Sequence, residues 1–199
     1  MMGLLGIVIA YLLGSIPFGY LLTRLATGRD VRTEGSGNIG ATNVVRAAGP
    51  GVGIATLALD IAKGSLAVWI AGWLTGGSPG WMADAALAVM AGHAFPVFLN
   101  FKGGKTVATF AGAFVYLMPL PLLATVMVFI IAVAATRYVS AGSILGAAMF
   151  PLGAWIIQHP SFLEMFAAIL GCGFIIYRHL PNLERIRKGT ESEFRWSQR

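Results

Sequence analysis

The stretch GSGNIGATN, residues 35–43, sets Gly35, Gly37 and Gly40 at the spacing G-x-G-x-x-G, with Arg46 close behind. Glycines let an anion approach the backbone closely, and the start of a following helix attracts negative charge, so the chemistry on offer is the holding of a phosphate. Ser36, Asn38, Thr42 and Asn43 add hydroxyls and amides, and Arg46 adds a charged fork. A dinucleotide turn would need a preceding strand and a βαβ unit. The flanks ATGRDVRTE and ATNVVRAAGPG offer neither, which argues against a Rossmann site. The plainer reading is a polar turn capped by Thr42 or Asn43, leading into a short helix that Gly49 and Pro50 end.

A second glycine turn lies in FKGGKTVAT, where Gly104, Lys105 and Thr106 imitate the end of a P-loop. The first glycine of that motif would fall on Leu99, and no strand precedes it, so a nucleotide P-loop is rejected. What remains is Gly103 and Gly104 between Lys102 and Lys105, again opening a helix and again suited to an anion. The third polar stretch, YRHLPNLERIRKGTESEF from Tyr177, contributes His179 and Asn182 within a basic tail. His93, in GHAFPVF, stands where Pro96 must end a helix, and serves equally as a structural histidine or a substrate contact. Asp60 and Lys63 are three residues apart and share a helical face. An internal ion pair is as good a reading for them as a substrate contact.

These groups must be placed by a very apolar chain. Its 199 residues are 57% hydrophobic and 11% charged, with mean hydropathy +0.76, against about 25% charged residues in soluble domains. The pattern predicts an all-α integral membrane protein: one domain over 1–199, a compact bundle of seven transmembrane helices. Apolar spans run about Leu4–Thr23, Val52–Leu74, Trp81–Phe98, Val107–Leu117, Leu122–Ala135, Ala141–Ile157 and Phe162–Ile176. The first has no positive n-region or cleavage signal and reads as a retained helix. The fourth and fifth are short, since about 14 residues cover only some 20 Å of a core roughly 30 Å thick, and read as a hairpin turning at Met118–Pro121.

Lys and Arg gather in alternate connections: Arg24, Arg29, Arg32 and Arg46; Lys102 and Lys105; Arg137; and the tail from Arg178 to Arg199. The positive-inside rule then puts the N-terminus outside and the C-terminus in the cytosol, with all three polar stretches on the cytosolic face. Net charge +6 is explained by this asymmetry, and no nucleic-acid partner is implied. The lone Cys172 excludes an intrachain disulfide and reads as a small buried hydrophobe. No metal cluster and no cofactor are expected.

Taken together and in order, GSGNIGATN with Arg46, GHAFPVFLNFKGGKTVAT and RHLPNLERI followed by KG resemble the bacterial membrane glycerol-3-phosphate acyltransferases that use acyl phosphate as donor. YLLGSIPFGYL and LDIAKG resemble that family too, so the likeness spans nearly the whole chain. It implies a seven-helix bundle in the cell (inner) membrane and a cytosolic site transferring a fatty acyl group to glycerol 3-phosphate. The product would be lysophosphatidic acid, the first step of phospholipid synthesis. By motif, functional roles pass to Ser36 and Arg46, a glycerol-phosphate loop to Gly103, Gly104 and Lys105, and a third set to His179 and Asn182, with Glu191 matching a tail glutamate.

The expected partners are acyl phosphate, glycerol 3-phosphate and membrane lipid, and a contact with the enzyme that makes the donor stays open. His179 to Glu184 and His159 to Glu164 both read H-x-x-x-x-E, near the H-x-x-x-x-D of a different acyltransferase class, but neither has the aspartate. The His159 copy falls on the outer face and reads as coincidence. The proton acceptor therefore stays open between the donor's own phosphate and His179. An organophosphate transporter and a noncatalytic lipid-binding scaffold are the competing readings.

Overall fold

The structure is a computed structural model describing residues 1–194, so the end of the basic tail, 195–199, lies outside the described residues. It contains ten α-helices among the described residues, and no strand. They are α1 (Met2–Ser15), α2 (Phe18–Thr27), α3 (Ala41–Ala48), α4 (Pro50–Thr75), α5 (Pro79–Ala94), α6 (Val107–Leu117), α7 (Pro119–Thr136), α8 (Val139–Ile157), α9 (Phe162–Arg178) and α10 (Leu180–Arg187). Single 3-10 turns occupy Val31–Thr33 and Val97–Leu99.

Among the described residues five segments are long and apolar enough to cross a membrane: Met2–Thr27, Pro50–Thr75, Pro79–Leu99, Pro119–Thr136 and Val139–Ile157. A sixth arises if α9 and α10, bent by 48° at their junction, count as one span. The remaining apolar helix, α6, has 11 residues, about 16 Å of rise. The shortness expected of the fourth span is thus found, while the fifth reaches 18 residues because its helix starts at Pro119. The first span departs from the sequence reading more clearly. It runs to Thr27 and is broken at Ile16, whose ψ of 114° is extended, because Pro17 disfavours helix in the residue before it and has no N–H to give.

Small residues set the helix contacts. A Cβ on Gly14 would meet the Val89 carbonyl and one on Gly92 the Tyr11 carbonyl, so α1 and α5 approach backbone to backbone. Gly64 against Thr109 and Gly112 against Ile61 do the same for α4 and α6. Packing of this kind is how helices associate where no water drives them together. Phe110, Phe114 and Phe150 form the aromatic centre, with ring centroids 4.3 to 5.1 Å apart. Large apolar side chains such as Trp73, Ile131 and Phe162 face outward, an arrangement suited to lipid.

Helix ends follow local chemistry. α5 stops before Pro96, and α4 opens with Pro50 after Gly49 at φ 88°. Ser161 and Glu164 form a capping box at the start of α9, which accounts for Glu164 without any link to His159. The capping expected of Thr42 or Asn43 is not found: the N-cap of α3 is Gly40, which has no side chain with which to cap the helix.

Candidate active site

One cavity of about 870 Å³ gathers the polar motifs. The loop before α3 supplies Gly35, Ser36 and Asn38 to its wall, and α3 itself supplies Thr42, Asn43 and Arg46. Lys105 comes from the loop before α6, His93 from the end of α5, His179 from the bend between α9 and α10, and Asn182 from the first turn of α10. The same cavity is also lined by apolar side chains, Ile54 and Leu57 from α4 and Val126, Phe129 and Val133 from α7. A charged head and a long apolar tail are both provided for in one space.

Lys105 stands at the junction. Its ammonium donates to the Asn182 side-chain oxygen, and Asn182 in turn donates to Glu191 at 2.6 Å. Glu191 also accepts from Ser140 at 2.7 Å and from Arg185 at 2.8 Å. Burial pushes the Lys105 ammonium down to about 8; Glu191 works against this, while Arg185, Arg178 and Arg46 add to it. Burial works to raise the Glu191 carboxyl, but its hydrogen bonds from Ser140, Asn182 and Arg185 outweigh that and hold it below the usual carboxylate range. Lys105, Arg46 and Arg185 thus leave a positive excess on the wall that suits phosphate.

His179 is beyond the end of α9 and buried. Its Nδ1 lies 2.8 Å from the Ile175 carbonyl oxygen; a carbonyl can only accept, so Nδ1 carries the proton and Nε2 keeps its lone pair. Burial, aided by Lys105 and Arg178, lowers this imidazole to about 4, partly offset by the Ile175 bond and Glu191. It is therefore neutral at physiological pH.

The glycine turns act differently from the sequence reading. In the first, the Ser36 N–H donates to Asn43 Oδ1, the Gly37 N–H to the Glu34 carbonyl and the Gly40 N–H to Asn38 Oδ1. Asn43 is buried and its amide nitrogen reaches the carbonyls of Val31, Glu34 and Asn38, so its side chain shapes the loop. Gly35 at φ 53° and Gly37 at φ 70° provide the left-handed backbone of this turn. Ser36, Thr42 and Arg46 are the groups it presents, with Ser36 exposed at the mouth.

In the second turn, the N–H groups of Gly103 and Gly104 donate to the carbonyls of Ala94 and His93 at 3.0 Å. Arg178 binds the Gly104 and Gly103 carbonyls from the other side, at 3.2 and 2.9 Å. Those amides are therefore spent within the protein, which corrects the expectation that they receive an anion. The glycines are required because side chains would collide with His93, Ala94 and Pro96. Gly37, Lys102, Gly103 and Gly104 do not line the cavity, and Lys102 is exposed. Sequence reasoning missed Ser140, Ser143 and Arg185 on the wall. The available signal was SAGS, two serines three apart at the start of an apolar span, directly after the basic Arg137.

The family described as glycerol-3-phosphate acyltransferase matches residues 4–189. A glycerol-3-phosphate acyltransferase of Trichlorobacter lovleyi is 49% identical over 193 residues, 97% of this chain and 98% of its own. One from Geobacter sulfurreducens is 46% identical over 187 residues, 94% of this chain and 95% of its own. Among solved structures, the glycerol 3-phosphate form of PlsY (YgiH), an integral membrane glycerol 3-phosphate acyltransferase, superposes with a TM-score of 0.92 at 38% identity, covering 98% of this chain and 96% of that one. Its lysophosphatidic acid form gives 0.88 at 36% identity, covering 98% and 97%.

Proposed function

The chain belongs to the glycerol-3-phosphate acyltransferase family and acylates glycerol 3-phosphate; from that premise we propose how its cavity does so and with which donor. The observation that supports the reading is the continuity of one space from the Arg46, Lys105 and Arg185 cluster to the apolar side chains of α4 and α7. The donor is a long-chain acyl phosphate. Its chain lies along Ile54, Leu57, Val126 and Phe129, and its phosphate meets Ser36, Thr42 and Arg46. Glycerol 3-phosphate enters between Lys105, Asn182 and His179.

The sn-1 hydroxyl of glycerol 3-phosphate attacks the acyl carbonyl carbon. A new ester C–O bond forms, the bond between that carbon and the phosphate oxygen breaks, and inorganic phosphate leaves with the electron pair. Phosphate leaves readily, so the protein need supply alignment, charge neutralisation and a place for the hydroxyl proton. A phosphate with its second ionisation near 6 is a stronger base than His179 at about 4. The proton therefore goes to the donor's phosphate, and His179 Nε2 orients glycerol 3-phosphate by accepting a hydrogen bond from its other, non-reacting hydroxyl. Lys105 screens two phosphates that would otherwise repel.

In the membrane, α1 with α2, α4, α5, α6, α7, α8 and α9 make seven crossings, the N-terminus lies outside, and the site opens on the cytosolic face of the inner membrane. The competing transporter and scaffold readings give way to the family. Purified protein given glycerol 3-phosphate and long-chain acyl phosphate should release lysophosphatidic acid and phosphate in equal amounts. Efficient turnover with acyl-CoA in its place would overturn the donor assignment.

A further inference from the structure

Three buried ionisable side chains have no part in that chemistry. Asp60 and Lys63, one turn apart on α4, are paired at 2.8 Å with side chains 3% and 2% exposed. His93, in the last turn of α5, brings Nδ1 to 3.6 Å from the same Asp60 oxygen, too far for a hydrogen bond and close enough for a polar attraction to fix the ring. Among the described residues Nδ1 has no hydrogen-bond partner.

The other side of the His93 residue holds the second glycine turn. Its carbonyl accepts from the Gly104 N–H at 3.0 Å, and its imidazole Nε2 lies where a Gly104 Cβ would be. Gly104 is followed directly by Lys105 and then by Thr106, whose φ of 64° turns the chain into α6. The Lys105 backbone is therefore clamped, by the His93 contact before it and a left-handed residue after it. Asp60 and His93 border the cavity together with Lys105.

We infer that His93, held by Asp60, is a positioning residue for the acyl transfer: it fixes Gly104 and thereby aims the Lys105 ammonium at the substrate phosphate. This rests on the reading that Lys105 meets phosphate. A His93 that only filled space between α4 and α5 would contribute independently of Lys105. A His93 that positions Lys105 loses its effect once that ammonium is gone.

The test is a pair of kinetic comparisons on the full chain in detergent micelles, with glycerol 3-phosphate and long-chain acyl phosphate. Lys105→Ala alone tests the underlying reading, and wild-type kinetics in it would overturn both that reading and this inference. His93→Ala is then measured with Lys105 present and in the Lys105→Ala background. The expected result is on the order of a tenfold loss of kcat/KM for glycerol 3-phosphate, carried mainly by KM, when Lys105 is present, and less than about twofold when it is absent. Equal losses in the two backgrounds overturn the inference. Should His93→Ala fail to fold, His93→Gln, which keeps a polar end beside Asp60, is measured in the same two backgrounds against the same two outcomes.

Discussion

The Lys105 ammonium donates to the Asn182 side-chain oxygen, joining the second glycine turn to the tail across 77 positions of sequence. Asn182 is fixed in turn by donating to Glu191, so the cation is held by a residue that is itself held. Lys105→Ala removes a charge-assisted contact worth about 1.5–3 kcal/mol, hence one to two decades in kcat/KM for both substrates. Steady-state kinetics with each substrate varied in turn check this. Folded variants at Ser36, Arg46 and Lys105 with unchanged kinetics would leave these residues structural.

The pH dependence follows from the same ammonium. With its ordinary value lowered to about 8, Lys105 is charged below that pH and loses its charge above it. Glycerol phosphate is fully ionised by then, its second ionisation being near 6. Rising pH therefore removes the cation while the anion is unchanged, and KM for glycerol 3-phosphate should climb above about pH 8. In Lys105→Arg, whose guanidinium stays protonated, this alkaline rise should be absent. Its persistence would assign it to another group.

Gly104 and His93 should show size compensation. Gly104 does not need a left-handed φ, and the nearest atoms a methyl would meet all belong to the His93 ring. Gly104→Ala should thus raise KM for glycerol 3-phosphate in the wild type, yet do little further harm once His93 is Ala. Gly103→Ala faces backbone carbonyls of His93 and Ala94, which cannot yield in that way, and it should gain nothing from the smaller residue.

Damage in the first loop should fall on the donor. Ser36→Ala removes an exposed hydroxyl without touching the loop's internal bonds, so kcat/KM for acyl phosphate should drop roughly tenfold with the melting temperature unchanged. Asn43→Ala removes the acceptor for the Ser36 N–H and the donor to three carbonyls. It should lower both activity and thermal stability. A Ser36→Ala variant as unstable as Asn43→Ala would contradict this division.

The sequence showed that membrane spans carry three polar stretches to one place, because hydropathy, charge asymmetry and motif order are all properties of the chain itself. It misjudged how the glycines work. A G-x-G or G-G spacing says only that a Cβ is unwelcome, and the excluded object can be an anion or, as at Gly104, a histidine ring brought from another helix. Arg178 looked like part of a basic tail, yet it caps the Gly103 and Gly104 carbonyls. Pro17 was readable as a helix breaker, but its apolar surroundings masked the break in the first span.

Topology can be tested with single cysteines in a Cys172→Ser background. A cysteine near Ser78 should react with an impermeant reagent added outside, and one at Lys102 only after permeabilisation. The opposite pattern would reverse the orientation proposed for the site.

The Asp60 and Lys63 pair also bears on how the chain enters the bilayer during synthesis. Each charge alone near the middle of a span costs about 2.5–3.5 kcal/mol at insertion. Paired on one face of α4 at 2.8 Å, they present the insertion machinery with a helix of no net charge across its central turns. The Lys63 ammonium then finds the Ile16 carbonyl, 2.9 Å away, at the break of the first span, so a segment inserted earlier is locked by one inserted later. Replacing either partner alone should impair insertion more than replacing both, a biogenesis defect visible as reduced membrane yield whatever the activity of the molecules that survive.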